Sequence, residues 1–258
     1  MTSISFIFST LPTDVIDNII FHNLPFSALG ICSLVCKVWR KIAEKQINTF
    51  SREKAFGPKE WFIHFGKHLK NVPRLPPDIA EILSSPCPFW PSKKVHETHL
   101  LVLVPETVDG QPLTLKTLVE LVKKVLQEPS TQYSNFHLGE YTDPDALPSH
   151  WVLLTRDVIE GSHSKSYPDQ QTLLSQKCHG VYVVPTILDA TVCIFMEYVR
   201  SGTRLYSDSP SYIFTRCQEK YNANWQLVVG GFASGDLGIY SDGVVVQKDC
   251  GVSGFRKI

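Results

Sequence analysis

The sequence predicts an α+β protein, with a small three-helix unit at the N-terminus and a mixed α/β domain after it. Three observations carry that prediction. Residues 11–43, LPTDVIDNIIFHNLPFSALGICSLVCKVWRKIA, place apolar side chains at helical spacing in short successive runs. Residues 71–92 are dense in proline (Pro73, Pro76, Pro77, Pro86, Pro88 and Pro91), which breaks the helical register and makes a stiff linker. From His99 onward, continuous apolar runs alternate with amphipathic ones, and strand-like runs with glycine between them close the chain.

The first helix starts at Pro12, whose missing N–H costs nothing in a first turn. Thr13 and Asp14 add side-chain oxygens and negative charge at its positive end. Val15, Ile16, Ile19 and Ile20 share one face. Asn23 is a stop, and Pro25 starts a new turn. In the second helix Leu29, Cys32 and Val35 form one stripe and Ile31, Leu34 and Val38 another, so it must be covered on two sides. Gly30 inside it costs about 0.5–1 kcal/mol relative to Ala. Trp39 and Ile42 anchor a third helix, with Lys37, Arg40 and Lys41 facing water. A unit of roughly forty residues is near the lower limit for folding alone, so its surplus apolar face calls for a partner.

Residues 51–67, with Phe56, Trp61, Phe62 and Phe65 as anchors, read as a helical or mixed connector packing under the N-terminal helices, and residues 78–83 as one or two further turns. Phe89 and Trp90 are expected to tuck onto the following domain. HLLVLV at 99–104 and WVLLT at 151–155 read as buried strands. TLKTLVELVKKVL at 114–126 is an amphipathic helix with Leu118, Leu121, Val122 and Val125 inward. Residues 168–178 and the strongly apolar 186–199, ended by Gly202, are further helices. Strands are expected at 211–217, 225–229 and 238–240. The resulting domains are 1–50, a connector at 51–91, and 92–258 folding by itself. No repeat of the leucine-rich or WD type is present.

Lys+Arg and Asp+Glu both number 25. The basic residues form no concentrated run, which argues against nucleic acid as a partner, because neutralising phosphates needs clustered positive charge. The longest apolar runs are too short to span a bilayer. Seven cysteines without paired spacing suggest a reduced, cytosolic protein. The opening MTSISFIFST lacks the basic start and cleavage site of a secretory signal. Its Ser, Thr and Ile content without charge is compatible with a bacterial type III secretion signal.

The combination of Leu11-Pro12, the acidic-apolar run after it, the Leu24-Pro25 break, and Leu34-Val35-Cys36-Lys37 with Trp39-Arg40 resembles the F-box. That resemblance implies docking onto the Skp-type adaptor of an SCF ubiquitin ligase and, through it, onto cullin. It places Leu11, Pro12, Val15, Ile16, Ile19, Leu24, Leu29, Leu34, Val35, Cys36 and Trp39 at positions that contact the adaptor or build the F-box core. A second resemblance covers nearly all the chain after it. PCPFWPSKKVHETHLLVLVPETVDG, SHWVLLTRDVIEGSHSKSY and the closing GVSGFRKI are similar to the C-terminal part of F-box-like proteins of environmental, amoeba-infecting chlamydiae. It implies an effector acting in the host cell cytoplasm, with no known catalytic residue.

The residues that could carry chemistry form no complete set. His64 and His68, or His96 and His99, could share a helical face, but no Cys-x-x-Cys or His-Glu-x-x-His supplies the remaining zinc ligands. Cys178 and His179 are sequence neighbours and do not face each other on a helix. Cys217 could meet His150 or His163 with Asp157 as orienting group, although nothing in the spacing demands it. The glycines of VVGGFASGDLGIYSDG lack the Lys-Ser or Lys-Thr of a phosphate loop and suit turns. No catalytic residue, metal or cofactor is therefore expected. The polar loop 156–167, RDVIEGSHSKSY, follows an apolar strand, and Arg156, His163, Lys165 and Tyr167 are its candidates for contacting a target protein. The expected function is a substrate receptor. The alternatives are an enzyme tethered by its F-box and a decoy occupying the adaptor.

Overall fold

The computed structural model describes residues 24–25, 28–29, 41, 53–126, 132–135, 147–207, 213–232, 236–243, 245 and 247–258. The three expected N-terminal helices lie almost entirely outside them. The chain divides into two compact units, Met1–Lys54 with Pro76–Ser85, and Ala55–Leu75 with Pro86–Ile258. The expected connector at 51–91 is thus shared between the units. In the first unit the described part is chiefly one helix at Ile79–Ser84, whose Ile79, Ala80 and Leu83 are buried.

The second unit is α+β and holds two mixed sheets. The first has four strands in the order β1 (Ala55–Phe56), β2 (His99–Val104), β6 (His150–Thr155) and β11 (Phe255–Lys257). β1 runs parallel to β2, and the other pairs are antiparallel. The second sheet has the order β10 (Cys250–Gly251), β7 (Phe214–Lys220), β8 (Gln226–Gly230), β9 (Asp236–Ser241) and β5 (Gln132–Asn135). A short hairpin, β3 (Thr107–Val108) with β4 (Gln111–Pro112), stands apart from both.

HLLVLV and HWVLLT become the two central strands of the first sheet, in register from His99 opposite Thr155 to Val104 opposite His150. Every residue of both is buried, as continuous apolar strands require. Leu100, Val102, Val104, Val152 and Leu154 join the main core.

At the centre of that core lies the helix Ile187–Ser201. It packs against β2 and β6 of one sheet and β7 and β8 of the other, as well as against the helices Pro58–Phe65 and Leu115–Leu126. Asp189 through Tyr198 are all buried, so the helix is covered on every side, which explains its nearly unbroken apolar sequence. Thr186 caps its start by accepting the Asp189 N–H, and Gly202 ends it in the left-handed conformation. The helix Tyr167–Cys178, capped by Ser166, covers a smaller cluster that includes Phe89, Ile159 and Tyr182.

The two sheets are stitched together by residues 183–185. Val183 exchanges both backbone hydrogen bonds with Phe255 of β11, while the Gln218 backbone N–H of β7 donates to the Pro185 carbonyl. Three departures from expectation matter here. Residues 55–65 belong to the core of the second unit: Phe56 and Trp61 are buried, and the Trp61 indole donates to the Leu103 carbonyl. The strand expected at 211–217 runs from Phe214 to Lys220, because pairing with β8 carries it past its apolar part. The closing residues form β10 and β11, whose glycine-interrupted sequence becomes strand only through pairing with β7 and β6.

Candidate functional site

Two regions are the candidates: the N-terminal docking segment and the loop at 156–167. In the first, the Pro25 carbonyl accepts the N–H groups of Ala28 and Leu29, so a helical turn begins where the Leu24-Pro25 break predicts one. Leu24 is half-buried, Leu29 is buried and Lys41 is exposed. Leu11, Pro12, Val15, Ile16, Ile19, Leu34, Val35, Cys36 and Trp39 lie outside the described residues.

The loop connects β6 to the helix Tyr167–Cys178 and is anchored along its length. The Arg156 N–H donates to the Thr98 carbonyl, and its guanidinium donates to Glu197 Oε1 at 2.6 Å. Arg200 holds the other oxygen of the same carboxylate. Burial pushes the Glu197 carboxyl up, but Arg156 and then Arg200 more than reverse this and leave its pKa below the ordinary range. Val158 and Ile159 turn inward, and buried Ser162 accepts the Val252 N–H. Gly161, at φ 78°, makes the reversal.

His163 donates to the Lys248 carbonyl at 2.9 Å, and the Lys165 carbonyl accepts from Arg216. Tyr167 is half-buried, and its hydroxyl pKa is pushed up by burial. The four candidates therefore differ. The Lys165 side chain is exposed, whereas Arg156, His163 and Tyr167 are half-buried and tied at least partly to the fold. Asp157, Glu160, Gly161, Ser164 and Ser166 are exposed as well.

The thiol arrangement considered from the sequence is not assembled. Cys217 is fully buried, and burial holds its thiol well above the ordinary range, reinforced by Glu219, Cys250 and Asp189. His150 instead lies 2.9 Å from Asp189 and 2.8 Å from the Pro148 carbonyl, and Asp157 accepts the Val158 N–H. Cys178 donates to the Leu174 carbonyl, and His179 forms the left-handed end of its helix.

Three of the four histidines in the candidate metal pairs pack against aromatic rings. The His64 ring stacks on Phe56 and the His68 ring lies against Phe62. His99 is buried beside Phe89 and Tyr182. No group of three metal-ligating side chains occurs among the described residues. Gly230 has a packing reason: a Cβ there would lie 2.1 Å from the Ile213 carbonyl oxygen.

Sequence reasoning missed two buried polar pairs. One is His150–Asp189. The other is Arg216, 2.8 Å from Asp242, whose second oxygen accepts the Gln226 N–H. Their partners are 39 and 26 residues apart, so no local pattern announces them.

Comparison with known families and proteins bears on the N-terminal segment. Residues 8–48 match the F-box-like family. No curated protein and no solved structure matches the chain. No helix among the described residues is long and apolar enough to cross a membrane. The chain therefore carries an F-box-like domain at residues 8–48, the stretch in which the Leu-Pro start, the Leu24-Pro25 break and the Trp39-Arg40 close occur together.

Proposed function

We propose that this chain is a substrate receptor of an SCF-type ubiquitin ligase, with no catalysis of its own. The F-box-like match at residues 8–48 carries the reading, since such a domain suggests adaptor docking and substrate recognition. The first unit binds the Skp-type adaptor and through it cullin. The second unit, with its own core, holds the target and raises its effective concentration beside the ubiquitin-charged enzyme. The exposed side of the loop at 156–167 contributes to target binding, supported by its rigid mounting and by Arg and Tyr, residue types frequent at interface hot spots. The receptor acts in a eukaryotic host cytoplasm after bacterial delivery. The uncharged, Ser- and Thr-rich N-terminus and the resemblance of the C-terminal runs to chlamydial proteins support that setting.

Affinity purification from eukaryotic cells tests this. Wild type should bring down adaptor, cullin and a ubiquitinated target, whereas Leu11→Ala with Pro12→Ala should lose adaptor and cullin. Unchanged recovery from the double variant would sink the proposal. Adaptor without cullin or target would point to a decoy, and a modification abolished by one point change would point to an enzyme. Replacing Arg156, His163, Lys165 and Tyr167 together by Ala should lose the target and keep the adaptor. Retention of every partner would move the target surface elsewhere.

A further inference from the structure

The short helix at Ile79–Ser84 is the feature that the F-box-like match at 8–48 leaves unexplained. It lies some thirty residues beyond that match, yet Pro76–Ser85 belongs to the same compact unit as Met1–Lys54. The chain leaves the first unit after Lys54, runs through the second as far as Leu75, and comes back for ten residues before Pro86. Pro76 and Pro77 precede the helix and Pro86 follows it, which sets both ends in the sequence.

Six residues cannot hold a helix in water alone, because nucleation costs more than so few hydrogen bonds return. Its ends are tied by local bonds such as Ile82 N–H to the Asp78 carbonyl, Ser85 N–H to the Glu81 carbonyl, and the Ser84 hydroxyl to the Ala80 carbonyl. What sustains it is burial. Ile79, Ala80 and Leu83 are 3%, 2% and 1% exposed, one apolar stripe along the helix, while Glu81 on the other side is exposed. An F-box-like segment of roughly forty residues is near the lower limit for folding alone, so a further apolar helix in the same compact unit has a stabilising part to play there.

We infer that the adaptor-docking unit of this chain is discontinuous, and that the helix Ile79–Ser84 is a positioning element of it, required for adaptor binding without touching the adaptor. The inference rests on the receptor reading above. Loss of the helix's apolar stripe lowers the fraction of first units that are binding-competent, and the apparent affinity falls by that fraction.

The experiment uses the full chain and a purified Skp-type adaptor. Binding is measured by calorimetric titration, and hydrogen exchange in His99–Val104 and His150–Thr155 reports on the second unit. Leu83→Asp should weaken binding by about tenfold or more with second-unit protection unchanged, and Glu81→Ala should stay within about twofold of wild type. Leu83→Asp binding as wild type would overturn the inference. So would a loss of protection in those two strands, because the helix would then belong to the core of the second unit. Leu11→Ala with Pro12→Ala separates the two levels. If that variant also binds as wild type, the receptor reading itself fails, whereas its loss of binding beside a normal Leu83→Asp removes only the discontinuous unit.

Discussion

His99 illustrates how one side chain can satisfy the fold at a cost that depends on pH. Its ring is buried against Phe89 and Tyr182, and its Nδ1 lies 2.9 Å from the Thr98 hydroxyl. Nε2 has no hydrogen-bond partner among the described residues. Burial is the main reason its pKa falls to about 4, with Arg156 adding to the drop. The unfolded imidazole takes its proton near 6.5, so between 6.5 and about 4 the unfolded chain binds a proton that the folded chain refuses. Stability is therefore lost as pH falls through that window, by up to roughly 3 kcal/mol. His99→Gln should flatten this limb in urea titrations run from pH 7 to pH 4.5. Below it, a second loss remains as Glu197 is protonated, because its folded pKa lies under the ordinary carboxylate value. A limb unchanged by His99→Gln would show that the ring is already charged in the folded protein.

Among the elements, the helix Ile187–Ser201 has the most to lose at its N-terminus. The Thr186 hydroxyl accepts the Asp189 N–H at 3.1 Å and lies 2.8 Å from an Asp189 carboxylate oxygen, and the other oxygen of that carboxylate meets His150. The cap is thus joined to β6 through a buried pair. Thr186→Ala should cost about 1–2 kcal/mol, the upper part of the range for N-cap removal, measured by urea unfolding. A cost below about 0.5 kcal/mol would mean that Asp189 keeps its place without the cap. Helices and central strands were the legible elements. The helices at 115–126, 167–178 and 187–201 and the strands at 99–104 and 150–155 match their expected positions to within a residue or two. Each has a strong period, a continuous apolar run or a cap of its own. β1, β10 and β11 do not, because two or three residues carry no period and acquire strand geometry from a neighbour.

At the scale of the molecule, the core of the second unit begins earlier than the expected boundary at residue 92. Phe56, Trp61 and Phe65 are buried in the same cluster as β2, β6 and the central helix. Fully burying a large apolar side chain contributes about 1.5–3 kcal/mol, so a fragment of residues 92–258 forgoes roughly 5 kcal/mol or more. That is comparable to the whole stability of a typical domain. The fragment should show no cooperative urea transition, while the full chain does. A transition at the full-chain midpoint would mean that β1 and the helix Pro58–Phe65 are accessory.

By itself, the sequence determined the local order and the presence of an F-box-like segment. Caps, proline breaks and apolar periods act over a few residues, and the Leu11-Pro12 to Trp39-Arg40 pattern is contiguous. Only the tertiary structure decided which distant residues meet. It placed Ala55–Phe56 beside β2, brought Phe255 against β6, and returned Pro76–Ser85 to the first unit. It also turned His150 toward Asp189 and left Cys217 fully buried. The physical reason is common to all of these: hydrophobic burial is non-directional, so a segment's apolar pattern states that it will be covered but not by what.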